Sequence, residues 1–142
     1  MKFGPATSYC LKNYAKFNGR ASRSEFWYFY LFNVLVAGVP AIIGSILMAV
    51  GTTSTVDMVG MTTTTLGAIG IFGIIVLVLS GLISLALLIP NIAVACRRLH
   101  DRGTSGWLLL LALVPCGSLV LFIFWLLESQ GPNSFGEGPA TA

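Results

Sequence analysis

The chain has 142 residues, 56% of them hydrophobic and only 9% charged, with a formal net charge of +3. An ordinary globular chain carries about 25% charged residues, so this composition excludes a typical soluble domain and makes the bilayer the solvent to reason with. The length fits one domain whose surface largely faces lipid or a partner, and no nucleic-acid partner is expected.

Cys10, Cys96 and Cys116 are odd in number, far apart and without a C-x-x-C pair, and His100 is the single histidine. No disulfide framework, metal site, haem or other cofactor is therefore expected. The first long apolar run, Phe26 to Val50, exceeds the core of about 7 to 15 residues found in a cleavable signal peptide, so this segment is expected to remain in the mature protein.

In chain order, Cys10, Tyr14 and Phe17 recur at i, i+4 and i+7 with Lys12 and Lys16 off that face. The pattern predicts a short interfacial amphipathic helix held by apolar contact and by anionic lipid, within a cytoplasmic segment 1–22. Asn18-Gly19 supplies a turn, and Ser22-Arg23-Ser24-Glu25 fits the capping box that opens a helix. Phe26, Trp27, Tyr28, Phe29 and Tyr30 follow at interface depth, with Trp27 and Tyr28 as anchors.

A first span is predicted over 23–50. Within it Ala37, Ala41, Ser45 and Ala49 form a ridge of small residues suited to close helix packing, against another helix of the chain or a second copy, and Pro40 is expected to bend it. Residues 51–65 read as an outer loop, its four consecutive threonines, Thr62 to Thr65, suiting a polar, extended connector. A second span is predicted over 66–96, with a smaller packing patch at Ser80 and Ser84. A cytoplasmic loop 97–106 follows, then a third span 107–127 opened by the interfacial Trp107, and an outer tail 128–142. All eight basic residues then fall on one side, which places the N-terminus inside and the C-terminus outside. Were the C-terminus cytoplasmic, the third segment would be re-entrant, and Pro115, Gly117 and Ser118 are the residues that permit it.

The densest polar cluster is Arg97-Arg98-Leu99-His100-Asp101-Arg102, closed by Gly103 as a helix stop, with Thr104 or Ser105 as the next cap. Asp101 can pair with Arg97 or Arg98, leaving the other guanidinium groups free. Three roles compete: a loop whose charges hold two spans in register; a phosphate or anionic-headgroup site, because arginine forks bind phosphate; and catalysis by His100 as base with Asp101 in support. Against the third, adjacent helical residues point about 100° apart and no nucleophile is tied to the pair. Glu25, at the same predicted depth, is expected to pair with Arg97 or Arg98 as a clasp, with Arg20 and Arg23 nearby. No acidic, basic or histidine side chain lies inside the spans to mark an ion pathway.

The stretches Phe17-Asn18-Gly19-Arg20-Ala21-Ser22-Arg23-Ser24-Glu25-Phe26-Trp27, Arg97 to Gly103 with Ser105-Gly106-Trp107, and Gly131-Pro132-Asn133-Ser134-Phe135-Gly136 with Pro139 together resemble the small bacterial inner-membrane proteins of the domain of unknown function 805 family, from about residue 9 to 139. The resemblance implies a multi-pass plasma-membrane protein with no assigned enzymatic activity. The long Thr-rich loop 51–65 departs from that pattern. The expectation is an all-α integral membrane protein of three spans, non-catalytic, acting as an accessory or scaffold subunit beside other membrane subunits, with anionic lipid at its inner face. The rivals are a lipid- or phosphate-handling enzyme built on the Arg-Arg-Leu-His-Asp cluster, and an oligomeric channel or exporter component assembled along the Ala37/Ala41/Ser45/Ala49 ridge.

Overall fold

The structure, a computed structural model, describes residues 2–139; the last residues assigned to the tail, 140–142, lie outside them. In chain order it contains α1 (Phe3–Lys12), α2 (Arg23–Asn33), a π-helical turn (Val34–Gly38), α3 (Val39–Val50), β1 (Thr52–Val56), β2 (Thr62–Leu66), α4 (Ala68–Asp101), a 3-10 helix (Gly106–Leu113) and α5 (Gly117–Leu126).

Two helices are long and apolar enough to cross a bilayer. Arg23–Val50 and Ala68–Asp101 have 28 and 34 residues, about 42 and 51 Å at 1.5 Å per residue, against about 30 Å of hydrocarbon. Their apolar stretches are only 11% and 17% buried, so these are outward-facing helices and not the core helices of a water-soluble fold. In the first of them, Pro40 lacks the N–H that an α-helix requires. The π-helical turn before it, in which Val39 N–H reaches back to Val34 O, absorbs the irregularity within a continuous helix.

The chain divides into two compact units, one comprising the residues up to Phe32 with those from Leu87 onward, the other Asn33–Ala86. In the second unit α3 meets the first part of α4 backbone to backbone. A Cβ at Gly44 would lie 3.0 Å from Gly73 O, and one at Gly73 would collide with the Met48 nitrogen. Ser80 Oγ donates to Ala37 O at 2.6 Å across the same contact. The packing ridge is therefore Ala37, Gly44 and Gly51, one heptad apart, and not the expected fourfold ridge. Ala37 is buried and Ala41 half-buried, whereas Ser45 and Ala49 are exposed and Ser45 Oγ bonds within its own helix to Ala41 O. Glycine permits the closer approach because it brings no side chain to the crossing. Ser84 Oγ likewise bonds within its own helix, to Ser80 O.

The loop between α3 and α4 contains an antiparallel hairpin, a correction to the all-α expectation. Thr52 pairs with Leu66 and Val56 with Thr62. The β-branched threonines that suit an extended connector also suit a strand, and Asp57 Oδ1 closes the turn by accepting from Val59 N and Met61 N.

The third apolar stretch is not one continuous helix. The 3-10 helix ends at Leu113, Cys116 adopts a left-handed φ of 63°, and α5 has ten residues, about 15 Å. A Cβ on Gly117 would run into Leu111 O, so the chain folds back on itself there. Both ends of this stretch return to the end of α4: Gly106 lies against Cys96, and the Trp125 and Leu127 carbonyls accept from Arg98. The reversal falls at Pro115, Gly117 and Ser118. The tail follows it to the same place, with Gln130 N–H on Asp101 O.

The N-terminal helix is also displaced from its expected position. It ends at Lys12, where Asn13 Nδ2 takes up the Tyr9 carbonyl. Its buried face is Ala6, Thr7 and Cys10, and Tyr14 and Phe17 lie beyond it, exposed. The core of this unit gathers Cys10, Ala21, Phe26, Phe29, Leu87, Val94 and Ala95.

Candidate functional site

The start of α2 is local chemistry: Ser22 Oγ accepts from Glu25 N at 3.3 Å, satisfying one of the free donors of the first turn. The Glu25 carboxylate, with no exposure, carries Arg97 from α4 at 2.7 Å. Arg97 also lies over the Tyr9 ring, 5.6 Å from its centre, and the Cys10 thiol donates to Glu25 Oε1 at 3.6 Å. One ion pair thus joins α1, α2 and α4. Burial and the adjacent Glu25 charge push the Cys10 thiol up to about 12.

The second pair lies at the end of α4. Asp101 takes Arg20 on Oδ1 at 2.9 Å and Arg98, one turn back, on Oδ2. Arg98 extends to the carbonyls of Trp125 and Leu127, and Arg20 to those of Gly131 and Gly136 at 3.0 and 2.8 Å. Three guanidinium groups face two carboxylates in a volume where none of the five residues exceeds 3% exposure. Main-chain carbonyl oxygens of the tail take up the remaining positive charge, as a buried ion requires. Arg97 is engaged by Glu25, and Arg98 and Arg20 are engaged by Asp101.

The tail is an ordered cap. Asn133 and Gly136 bond each other's backbones, Asn133 Nδ2 donates to His100 O at 3.0 Å, and the Phe135 ring stacks on His100 at 4.1 Å and 3°. Gly103, at φ +68°, ends α4, and Thr104 Oγ1 donates to Leu99 O. Arg102 reaches the Glu128 carbonyl, and Arg23 meets the Glu128 carboxylate at 2.9 Å on the surface.

His100 and Asp101 are not brought together: the carboxylate goes to arginines, and the imidazole turns the other way. Its Nδ1 lies 3.3 Å from Gly19 O and its Nε2 3.6 Å from Cys96 Sγ. Sequence reasoning passed over Cys96, although i, i+4 spacing puts it on the same helix face as His100. Of the expected anchors, Trp27 and Tyr28 are half-buried in ring contacts with Phe122 and Phe3, and Trp107 is 78% exposed.

Two helices long and apolar enough to cross a bilayer, with a buried knot of charges beside them, define an integral membrane protein. The chain belongs to the DUF805 family, proteins of unknown function, whose model matches residues 14–137. It is similar to "Inner membrane protein YhaI" of Escherichia coli (strain K12), at 37% identity over 91% of this chain and 90% of that one. It is also similar to "Inner membrane protein YhaH" of the same strain, at 34% identity over 91% of each. No solved structure matches the chain.

Proposed function

We propose that the protein is a non-catalytic accessory or scaffold subunit of a larger inner-membrane complex, with its N-terminal segment, basic cluster and C-terminal tail together on the cytoplasmic side. The observation that carries this reading is the burial of Arg20, Glu25, Arg97, Arg98 and Asp101 against one another and against tail carbonyls. Side chains engaged in this way hold segments together and offer no open charge to a substrate. The cytoplasmic assignment follows from the eight Lys and Arg residues, which all fall in segments at that end.

Attraction to anionic headgroups then rests on the exposed Lys12 and Lys16 beside Tyr14 and Phe17, a basic and aromatic surface of the kind that lies on an inner leaflet. The outward apolar faces of the two long helices supply the docking surface for other subunits.

Gentle native purification with mass spectrometry of every co-purifying protein and lipid tests the proposal. A stoichiometric protein partner is expected, together with anionic lipid that is lost in Lys12→Gln/Lys16→Gln. Purification alone, with lipid content unchanged by those substitutions, would contradict it.

A further inference from the structure

Between the end of α4 and the 3-10 helix lies a groove of about 430 Å³, within the range of small-molecule sites. Its walls are apolar: Phe17, Ile92, Trp107, Leu109 and Leu110. The polar side chains on it include the half-buried Cys96 and, one helical turn on, His100. Three features make the pair more than a buried thiol beside an imidazole. The Gly19 carbonyl accepts a hydrogen bond from Nδ1–H at 3.3 Å, which fixes the tautomer and leaves the Nε2 lone pair directed at the sulfur, 3.6 Å away. Phe135, stacked at 4.1 Å, holds the ring plane. Gly106 has no side chain where a Cβ would collide with the Cys96 sulfur, so its backbone packs against that atom at the start of the 3-10 helix. Nucleophile, base and an orienting carbonyl thus meet at one end of an apolar groove.

We propose that Cys96 is an acyl-acceptor site, which takes a long-chain acyl group from an acyl thioester with His100 as the base and the groove as the seat of the chain. His100 Nε2 accepts the thiol proton, and the sulfur bonds to the acyl carbonyl carbon. The donor's carbon–sulfur bond then breaks, and the departing thiolate takes the proton back from Nε2. No electrons are transferred to an outside reagent, and the product is a thioester on Cys96 plus a free thiol. Such a chain, attached at the junction of α4 and the basic cluster, would add a lipid anchor beside a residue that already lies next to the membrane. The site is independent of the subunit role proposed above.

The test is incubation of the purified full-length protein in detergent with palmitoyl-coenzyme A, read by intact mass and by peptide mapping. One palmitoyl group is expected on Cys96, released by neutral hydroxylamine and absent from Cys96→Ser. His100→Gln is expected to slow the reaction by about 100-fold, the ordinary contribution of a positioned base. Because that variant also removes a tail contact, a second comparison uses the wild-type chain alone: palmitoyl-coenzyme A is expected to outpace acetyl-coenzyme A at Cys96 by at least about tenfold, the effect of burying a few methylene groups. Acylation confined to Cys116, equal rates for the two donors, or an unchanged rate in a folded His100→Gln protein would each overturn the proposal.

Discussion

The guanidinium of Arg20 meets the carboxylate of Asp101 at 2.9 Å across 81 positions of sequence, with both side chains fully removed from solvent. The same carboxylate holds Arg98, and the same Arg20 holds the tail. Asp101 is consequently the point at which the N-terminal segment, the end of α4 and the C-terminal tail are tied.

Asp101→Asn should destabilise the protein by about 3–5 kcal/mol, since removing one partner leaves buried cations uncompensated. Thermal or denaturant unfolding in detergent measures the loss. The tail should come free at the same time, seen as new protease cleavage after Leu127.

Glu25→Gln should cost about as much, for the same reason, because Arg97 is 2% exposed beside it. The double variant Glu25→Gln/Arg97→Gln should lose clearly less than the sum of the single variants, since the two groups act as a unit. Additive losses in a double-mutant cycle would mean that the pair is not coupled.

Arg23 and Glu128 form the contrasting case, since their side chains are 41% and 89% exposed at 2.9 Å. Glu128→Ala should change stability by less than about 1 kcal/mol and its effect should vanish in high salt.

The two long helices are legible in the sequence because the length of an apolar run reports directly on the thickness it can cross. The start of α2 is legible because Ser22 and Glu25 are neighbours in the same turn. The tie between Arg20 and Asp101 is not, because nothing local marks which of several cations a carboxylate will meet 81 positions away. In the third stretch Pro115, Gly117 and Ser118 mark where the chain can turn, but composition alone does not separate a kink from the full break that the left-handed backbone at Cys116 makes. Small residues at every fourth position draw attention to Ser45 and Ala49, whereas the crossing uses glycines seven apart, which side-chain counting overlooks. His100 invites comparison with its neighbour Asp101, yet helical geometry turns it to Cys96.

The glycine crossing makes its own prediction. Gly73→Ala should destabilise the protein, since its Cβ would meet the backbone of α3. Gly81→Ala, where nothing lies within 4 Å, should be neutral or slightly stabilising by the higher helix propensity of alanine. Unfolding midpoints of the two variants decide it.

Cys10 should resist alkylation in the folded protein at pH 8, because its thiol is pushed up to about 12 and the thiolate is the reactive form. Since the folded-state value lies above the ordinary 9.0, the stability gained from keeping this thiol neutral is complete below about pH 9 and falls as pH rises toward 12. Modification of Cys10 should therefore track unfolding.

The most direct test of the clasp is the side of the membrane on which the tail lies. Reporters fused after Pro139, one that fluoresces only in the cytoplasm and one that is enzymatically active only outside it, read this in living bacteria. The tail bound to Arg20 and Asp101 predicts a fluorescent fusion and an inactive enzyme, matching fusions at the N-terminus. An active external enzyme at the C-terminus would mean that the third stretch crosses the bilayer and that the clasp does not form.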